Sequence, residues 1–223
     1  MNYDWNFSLV LMDARLWREA AIATLMMCGG ALLIAVPLGL LWTVLRLNGP
    51  TAVRIAVICV IEFLRVSAPV VLIIWSYFAL PIISGININA FTAGSLAIGL
   101  QGSAFFSEIA RAGINGVDRG QFEAAKAIGM RTGAAMRFII FPQALRHMIP
   151  VMVLLLAEML KITSLAAIIT YGDLAYAAGR VASDTFRPVE AYTVAAVIYF
   201  VMIFSLGRLA NLLERRLSKR LAT

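Results

Sequence analysis

Gly120–Pro142, GQFEAAKAIGMRTGAAMRFIIFP, is the longest polar interruption in an otherwise apolar chain. Arg119 stands at its edge, Lys126, Arg131 and Arg137 lie within it, and Glu123 is its one acid. Alanines and long side chains from Gln121 to Ile128 favour a short helix, and Gly129 can end it in the left-handed conformation. Phe122, Ala125 and Ile128 fall on one face at helical spacing, so the helix is amphipathic. A short helix of this kind between two membrane spans is placed to be gripped by another protein.

Outside that stretch the chain reads as a membrane protein. Its 223 residues are 61% hydrophobic, with a mean hydropathy of +0.88, and several uncharged runs reach the roughly 20 residues that cross a bilayer as helix. The expectation is one all-α integral membrane domain, residues 1–223. Its five spans fall near 19–44, 53–80, 90–109, 148–169 and 192–213, with a polar loop at 115–142. Pro37 and Gly39 bend the first span. The second, about 42 Å as a straight helix, is too long for one crossing, so Pro69 kinks it and Pro81 ends it. The third is dense in small residues from Ala93 to Ala104, which suits a central packing helix. The fourth begins after Pro142 and Pro150, and the polar loop 170–191 has room for a short helix.

Charge sets the orientation. Arg46, Arg54, Arg111, Arg119, Lys126, Arg131, Arg137, Arg146, Arg208, Arg215, Arg216, Lys219 and Arg220 fall on one side, against Arg15, Arg18, Arg180 and Arg187 on the other. Lysine and arginine are retained inside, so the polar loop and the tail are cytoplasmic and the N-terminus is outside. The net charge of +7 has the same origin; no DNA-reading helix or RNA-stacking platform accompanies it. Other classes fail on their motifs. GxxxxGK[ST] is absent, so the chain does not hold ATP by itself. His147 has no second histidine or cysteine ligand nearby for a metal, and no nucleophile–base set marks an enzyme. Cys28 and Cys59 read as small core residues. Trp5, Trp17, Trp42, Trp75 and Tyr77 read as interfacial anchors.

Two cations remain within or near hydrocarbon, Arg65 and Lys161. Each costs about 2.5–3.5 kcal/mol at a helix centre and needs a partner. Glu62, Glu108 and Glu158 are the available acids, and Glu158 and Lys161, three residues apart, can pair on one helix face. These charges, with Thr163 and Ser164 beside them, either line a path for a zwitterionic solute or form structural ion pairs and interfacial snorkels.

Glu123, Ala124 and Ala125, then Gly129, Ile139 and Pro142, stand at the spacing of the EAA loop, and the segment resembles that of ABC-importer permeases. SAFFSEIARAGINGV before it, PQALRHMIP after it and LKITSL at 160–165 resemble the polar amino-acid uptake branch, over roughly residues 18–216. The resemblance implies a five-span type I importer domain with a cytoplasmic coupling helix. Gly120, Gln121, Glu123, Ala124, Ala125, Gly129, Ile139 and Pro142 would couple it to a cytoplasmic ABC ATPase dimer. That ATPase would hold ATP and Mg, with no cofactor in this chain. It further implies a second permease subunit, the same or a homologous chain, and a periplasmic or extracellular solute-binding protein. The setting would be a bacterial inner (plasma) membrane, and the cargo polar amino acids or related zwitterions such as opines or compatible solutes. Arg65, Glu108, Glu158, Lys161, Thr163 and Ser164 would line the pathway.

The chain departs from the family where Arg65-Val-Ser-Ala-Pro69 has one residue more than the usual Arg-Gly-Thr-Pro, and where Ile162 follows Lys161 in place of Asp or Asn. On an ideal helix the extra residue turns Arg65 by about 100° relative to Pro69. The rival reading is a passive channel or a membrane scaffold without ATP coupling, which replacement of Glu123 would leave unharmed.

Overall fold

A computed structural model describes residues 4–220, with side chains as far as residue 208, and among the described residues every regular element is a helix, with no strand. Arg215, Arg216, Lys219 and Arg220, counted above for orientation, lie outside the residues whose side chains are described. A short α1 (Phe7–Leu11) leads into α2 (Ala14–Asn48), where the Asp13 carboxylate accepts the Leu16 N–H at 3.0 Å and satisfies one of the free donors of the first turn. α2 carries Pro37 inside it. Among the described residues it is one of three single stretches long and apolar enough to cross a membrane, with Thr132–Ile169 and Pro188–Arg208.

The second expected span is broken rather than kinked. α3 (Thr51–Val66) and α4 (Pro69–Ser84) meet at 103°. Pro69 disfavours helical geometry in the residue before it, and both Ser67 and Ala68 are extended, with ψ of 137° and 126°. No continuous helix joins Arg65 to Pro69, so the 100° rotation expected of the extra residue does not arise. Pro81 does not end α4 either. The helix runs on to Ser84 and closes on Gly85, which has φ +70°.

α5 (Ala90–Asn115) is the central helix, packed against α2, α3, α4 and α8 (Phe141–Ile162). Its small residues allow that approach: a Cβ at Gly99 would lie 2.7 Å from Ile34 Cβ and 2.9 Å from the Ala31 carbonyl. Where α5 meets α8, a Cβ at Gly102 would stand 3.0 Å from Met159 Cε. Met27, Ala31, Ala35, Ala93, Ala97, Ile98, Met159 and Leu160 form the core of this seam.

α6 (Arg119–Ala127) and α7 (Thr132–Ala135) follow, and then a π-helical turn, Met136–Ile140, runs without interruption into α8. The helix that carries the expected fourth span therefore starts well before residue 148. Pro142 follows the π turn directly, and such a local π adjustment is one way a continuous helix takes up a residue without an N–H. Pro150 lies inside α8 without ending it.

A 3-10 turn, Thr163–Ile169, ends that span, and α9 (Leu174–Thr185) fills the polar loop, as its length suggested. Leu174, Ala177, Ala178 and Val181 of α9 pack on Val10, Trp17, Ala20, Ala191 and Ala195. α10 (Pro188–Arg220) is the last of the described elements. Two tryptophans read as interfacial anchors are internal instead: Trp17 is buried and donates to the Val10 carbonyl at 2.9 Å, and Trp42 donates to Ser103 Oγ at 3.1 Å.

Candidate functional site

The first site is the polar segment that interrupts the spans. Asp118 opens α6, its carboxylate accepting the Gly120 N–H at 2.6 Å. The C-terminus is closed by a Schellman motif: Met130 N–H donates to the Ala125 carbonyl and Gly129 N–H to the Lys126 carbonyl, both at 3.0 Å, with Gly129 at φ +73° between them. Ala125 is buried, while Gln121, Phe122, Glu123, Ala124, Lys126 and Ile128 are exposed. Phe122, Ala125 and Ile128 thus share a face by spacing but not by burial; Ile128 is 74% exposed. Gln143 at the start of α8 donates to Gln121 Oε1 at 3.2 Å, and α6 rests on α7 and the π turn. Ile139 and Pro142 are half-buried in that turn and at the start of α8.

The second site is a cavity of about 460 Å³ between α5 and α8, reached by the last turn of α3. Arg65, Gln101, Phe105, Glu108 and Glu158 supply its polar and aromatic wall; Ile98, Val151, Leu154, Leu155 and Ile162 supply much of the apolar wall. Arg65 Nη1 donates to Glu62 Oε1 at 3.0 Å, its guanidinium lies 5.8 Å from the Phe105 ring centroid, and its Nε is buried without an acceptor. Lys161 donates to Glu158 Oε1 at 2.5 Å, the pairing that their spacing suggested.

Three of the six expected pathway residues, Arg65, Glu108 and Glu158, come together at this cavity. Lys161 reaches it only through Glu158. Thr163 is buried and donates to the Leu160 carbonyl, and Ser164 donates to the Lys161 carbonyl, both at 2.7 Å; neither lines the cavity.

Sequence reasoning passed over three residues. Gln101 Nε2 donates to the carbonyls of Leu64 (3.2 Å) and Ser67 (2.8 Å), capping the broken end of α3 from α5. One amide in a span of alanines and glycines is itself a signal, because an unsatisfied polar group there is expensive. Arg46, in the last turn of α2, donates to Glu108. Asp173 caps α9, accepting the Tyr176 N–H at 2.9 Å, and is fully buried; burial pushes its carboxyl up to about 6. Among the described residues no group of histidines, cysteines and acids is arranged to hold a metal.

Comparison with known proteins supplies the family. Residues 35–219 match the one described as binding-protein-dependent transport system inner membrane component. The chain is 32% identical over 215 residues to the probable glutamine ABC transporter permease protein GlnM of Bacillus subtilis, covering 96% of this chain and 99% of that one. It is 36% identical over 141 residues to the arginine transport system permease protein ArtQ of the same organism, covering 63% and 64%. Among solved structures, a chain of an amino acid ABC transporter crystallised with histidines superposes with a TM-score of 0.90 at 34% identity, covering 96% of this chain and all of that one. The chain accordingly belongs to the inner membrane components of binding-protein-dependent transport systems, as an ABC-transporter permease subunit with the all-helical fold of type I importers.

Proposed function

We propose that this permease forms the translocation pathway of an ATP-driven importer for polar amino acids or related small zwitterions, and that it works by alternating access. The observation that carries the reading is the physical continuity between the two sites. α6 stands exposed and rests on α7 and the π turn, the π turn runs into α8, and α8 carries Glu158 on the cavity wall. A push on α6 is thereby delivered to the wall that a solute would touch. Helices transmit such displacements as rigid bodies, so a small movement at one end need not dissipate before the other.

Gly120, Gln121, Glu123, Ala124, Ala125, Gly129, Ile139 and Pro142 form the coupling surface for a cytoplasmic ABC ATPase, which holds ATP and Mg; this chain is a non-catalytic subunit. A second permease, the same or a homologous chain, completes the pathway. A solute-binding protein delivers cargo from outside. In this reading residues 1–223 are a single domain with five crossings, the three long apolar stretches, the bent pair α3–α4 counted as one and the central helix α5, set in a bacterial inner membrane with the N-terminus outside. At the cavity, Arg65 answers the solute carboxylate, with its free Nε available for a further bond. Glu158 answers the ammonium. Names of relatives support the cargo class, since those relatives carry glutamine or arginine in their descriptions.

The test is uptake of labelled amino acids by proteoliposomes holding the permease with its ATPase and binding protein. Uptake should require ATP and be lost on Glu123→Ala, with the complex still in the membrane. Flux without ATP that survives the substitution would establish the passive channel instead.

A further inference from the structure

We propose that Arg46 gives the end of the pathway nearest α6 a surplus positive charge, which disfavours cationic solutes there; this rests on the transport reading above. A second cavity, of about 370 Å³, shares Glu108, Ile109 and Val151 with the first, so the two form one trough along the α5–α8 seam. Glu108 is the acid at the far end of that trough, and His147 of α8 faces it from the same end.

Both carboxylate oxygens of Glu108 are occupied. Oε2 accepts from Arg111 Nε at 3.1 Å and Nη2 at 2.8 Å, and Oε1 accepts from Arg46 Nη1. One carboxylate thus answers two guanidiniums. At the other end of the trough the pairing is one to one, Arg65 with Glu62 and Lys161 with Glu158.

Arg46 makes the difference. Arg111 sits three residues from Glu108 on α5 and would neutralise it alone. Arg46 arrives from another helix, at the end of α2, where a long cationic side chain ordinarily extends to water. Instead it turns inward and is only 17% exposed, against 18% for Glu108. Arg46 lines neither cavity but stands directly behind Glu108, which lines both, and across such a partly buried region a charge is felt several times more strongly than in bulk water. Its sign therefore selects among solutes, drawing carboxylates toward this end and repelling ammonium and guanidinium groups.

The purified permease–ATPase complex in nanodiscs, without binding protein, tests this through ATPase stimulation by glutamate, glutamine and arginine at millimolar concentration. Leaving out the binding protein exposes the pathway's own preference. We expect half-maximal stimulation at a lower concentration of glutamate than of arginine, and a fall of about tenfold or more in that preference on Arg46→Gln. Arg46→Lys should keep it, because the charge is kept. Glu108→Gln should move it the other way, leaving two guanidiniums unanswered, and serves if Arg46→Gln fails to assemble. An equal response to glutamate and arginine, or a ratio unmoved by these variants, overturns the proposal and leaves the transport reading standing. No response to any of the three overturns the proposal as well, while the transport reading is decided separately by the uptake assay with binding protein present.

Discussion

Gln101 of α5 holds the end of α3 by donating to the Ser67 carbonyl at 2.8 Å, at the point where α3 and α4 turn through 103°. The same amide nitrogen donates to the Leu64 carbonyl at 3.2 Å. A helix end leaves its last carbonyls without partners, and in a buried, apolar setting each orphan costs about 1–3 kcal/mol. Gln101 is 4% exposed and stands in for the water that a surface helix would use. Gln101→Leu should lower the melting temperature of the detergent-solubilised complex by several degrees. Gln101→Glu should be at least as harmful, since a carboxylate opposes both carbonyls. An unchanged melting curve for both variants would show that the break is held by packing alone.

Gly129 offers a cleaner separation of causes. Its φ of +73° is left-handed, yet a Cβ built there meets nothing within 4 Å. Any penalty is therefore conformational, about 1–2 kcal/mol for an ordinary residue and more for a β-branched one. Gly129→Val should leave membrane insertion intact and uncouple ATP hydrolysis from uptake. Gly129→Asn, which tolerates this region, should keep most of the coupling. Equal uptake by all three proteins would remove the Schellman closure from the mechanism.

These two residues mark how much could be read in advance. The closure of α6 at Gly129 was legible because it is local chemistry: good helix formers followed by a glycine with no side-chain strain. The long apolar runs, the Glu158–Lys161 pair and the small-residue face of α5 were legible for the same reason. The sequence reading places the start of α8 too late, after Pro142 and Pro150; Pro142 is taken up directly behind the π turn, and Pro150 is carried inside the helix. Nothing local announces that Arg46 meets Glu108, 62 residues away, or that Gln101 caps a helix end 34 residues before it. Those pairings exist only once α5 is threaded between α2, α3 and α8.

The α2–α5 seam should discriminate sharply between glycines. At Gly99 a Cβ would fall 2.7 Å from Ile34 Cβ and 2.9 Å from the Ala31 carbonyl, so Gly99→Val must separate two backbones that cannot relax independently. At Gly29, within α2, a Cβ meets nothing within 4 Å. Gly29→Ala should be neutral or stabilising by up to about 1 kcal/mol through helix propensity. Gly99→Val should abolish accumulation of folded protein, read by fluorescence-detected size exclusion. Comparable peaks for both variants would mean that the seam is looser than these distances state.

Asp173 supplies a pH dependence whose sign can be fixed. The carboxylate is fully buried and held by the Tyr176 N–H at 2.9 Å and, more distantly, the Tyr199 hydroxyl at 3.4 Å. These bonds favour the ionised form, but desolvation is the larger effect and raises the carboxyl to about 6. An acid whose folded value lies above its unfolded value, near 4, holds its proton more tightly when folded. Its contribution to stability is therefore complete below about pH 4 and is lost as pH rises through about 6. A rise from about 4 to about 6 is worth roughly 3 kcal/mol at most. Asp173→Asn keeps an acceptor for the α9 cap and has no proton to lose. Its advantage over the parent should grow between about pH 4 and pH 6 and then level off, seen as a widening gap in thermal stability and slower hydrogen exchange in α9. A gap that stays constant from about pH 4.5 to about pH 7.5, or that narrows as pH rises, would mean that Asp173 is ionised throughout and that its hydrogen bonds outweigh its burial.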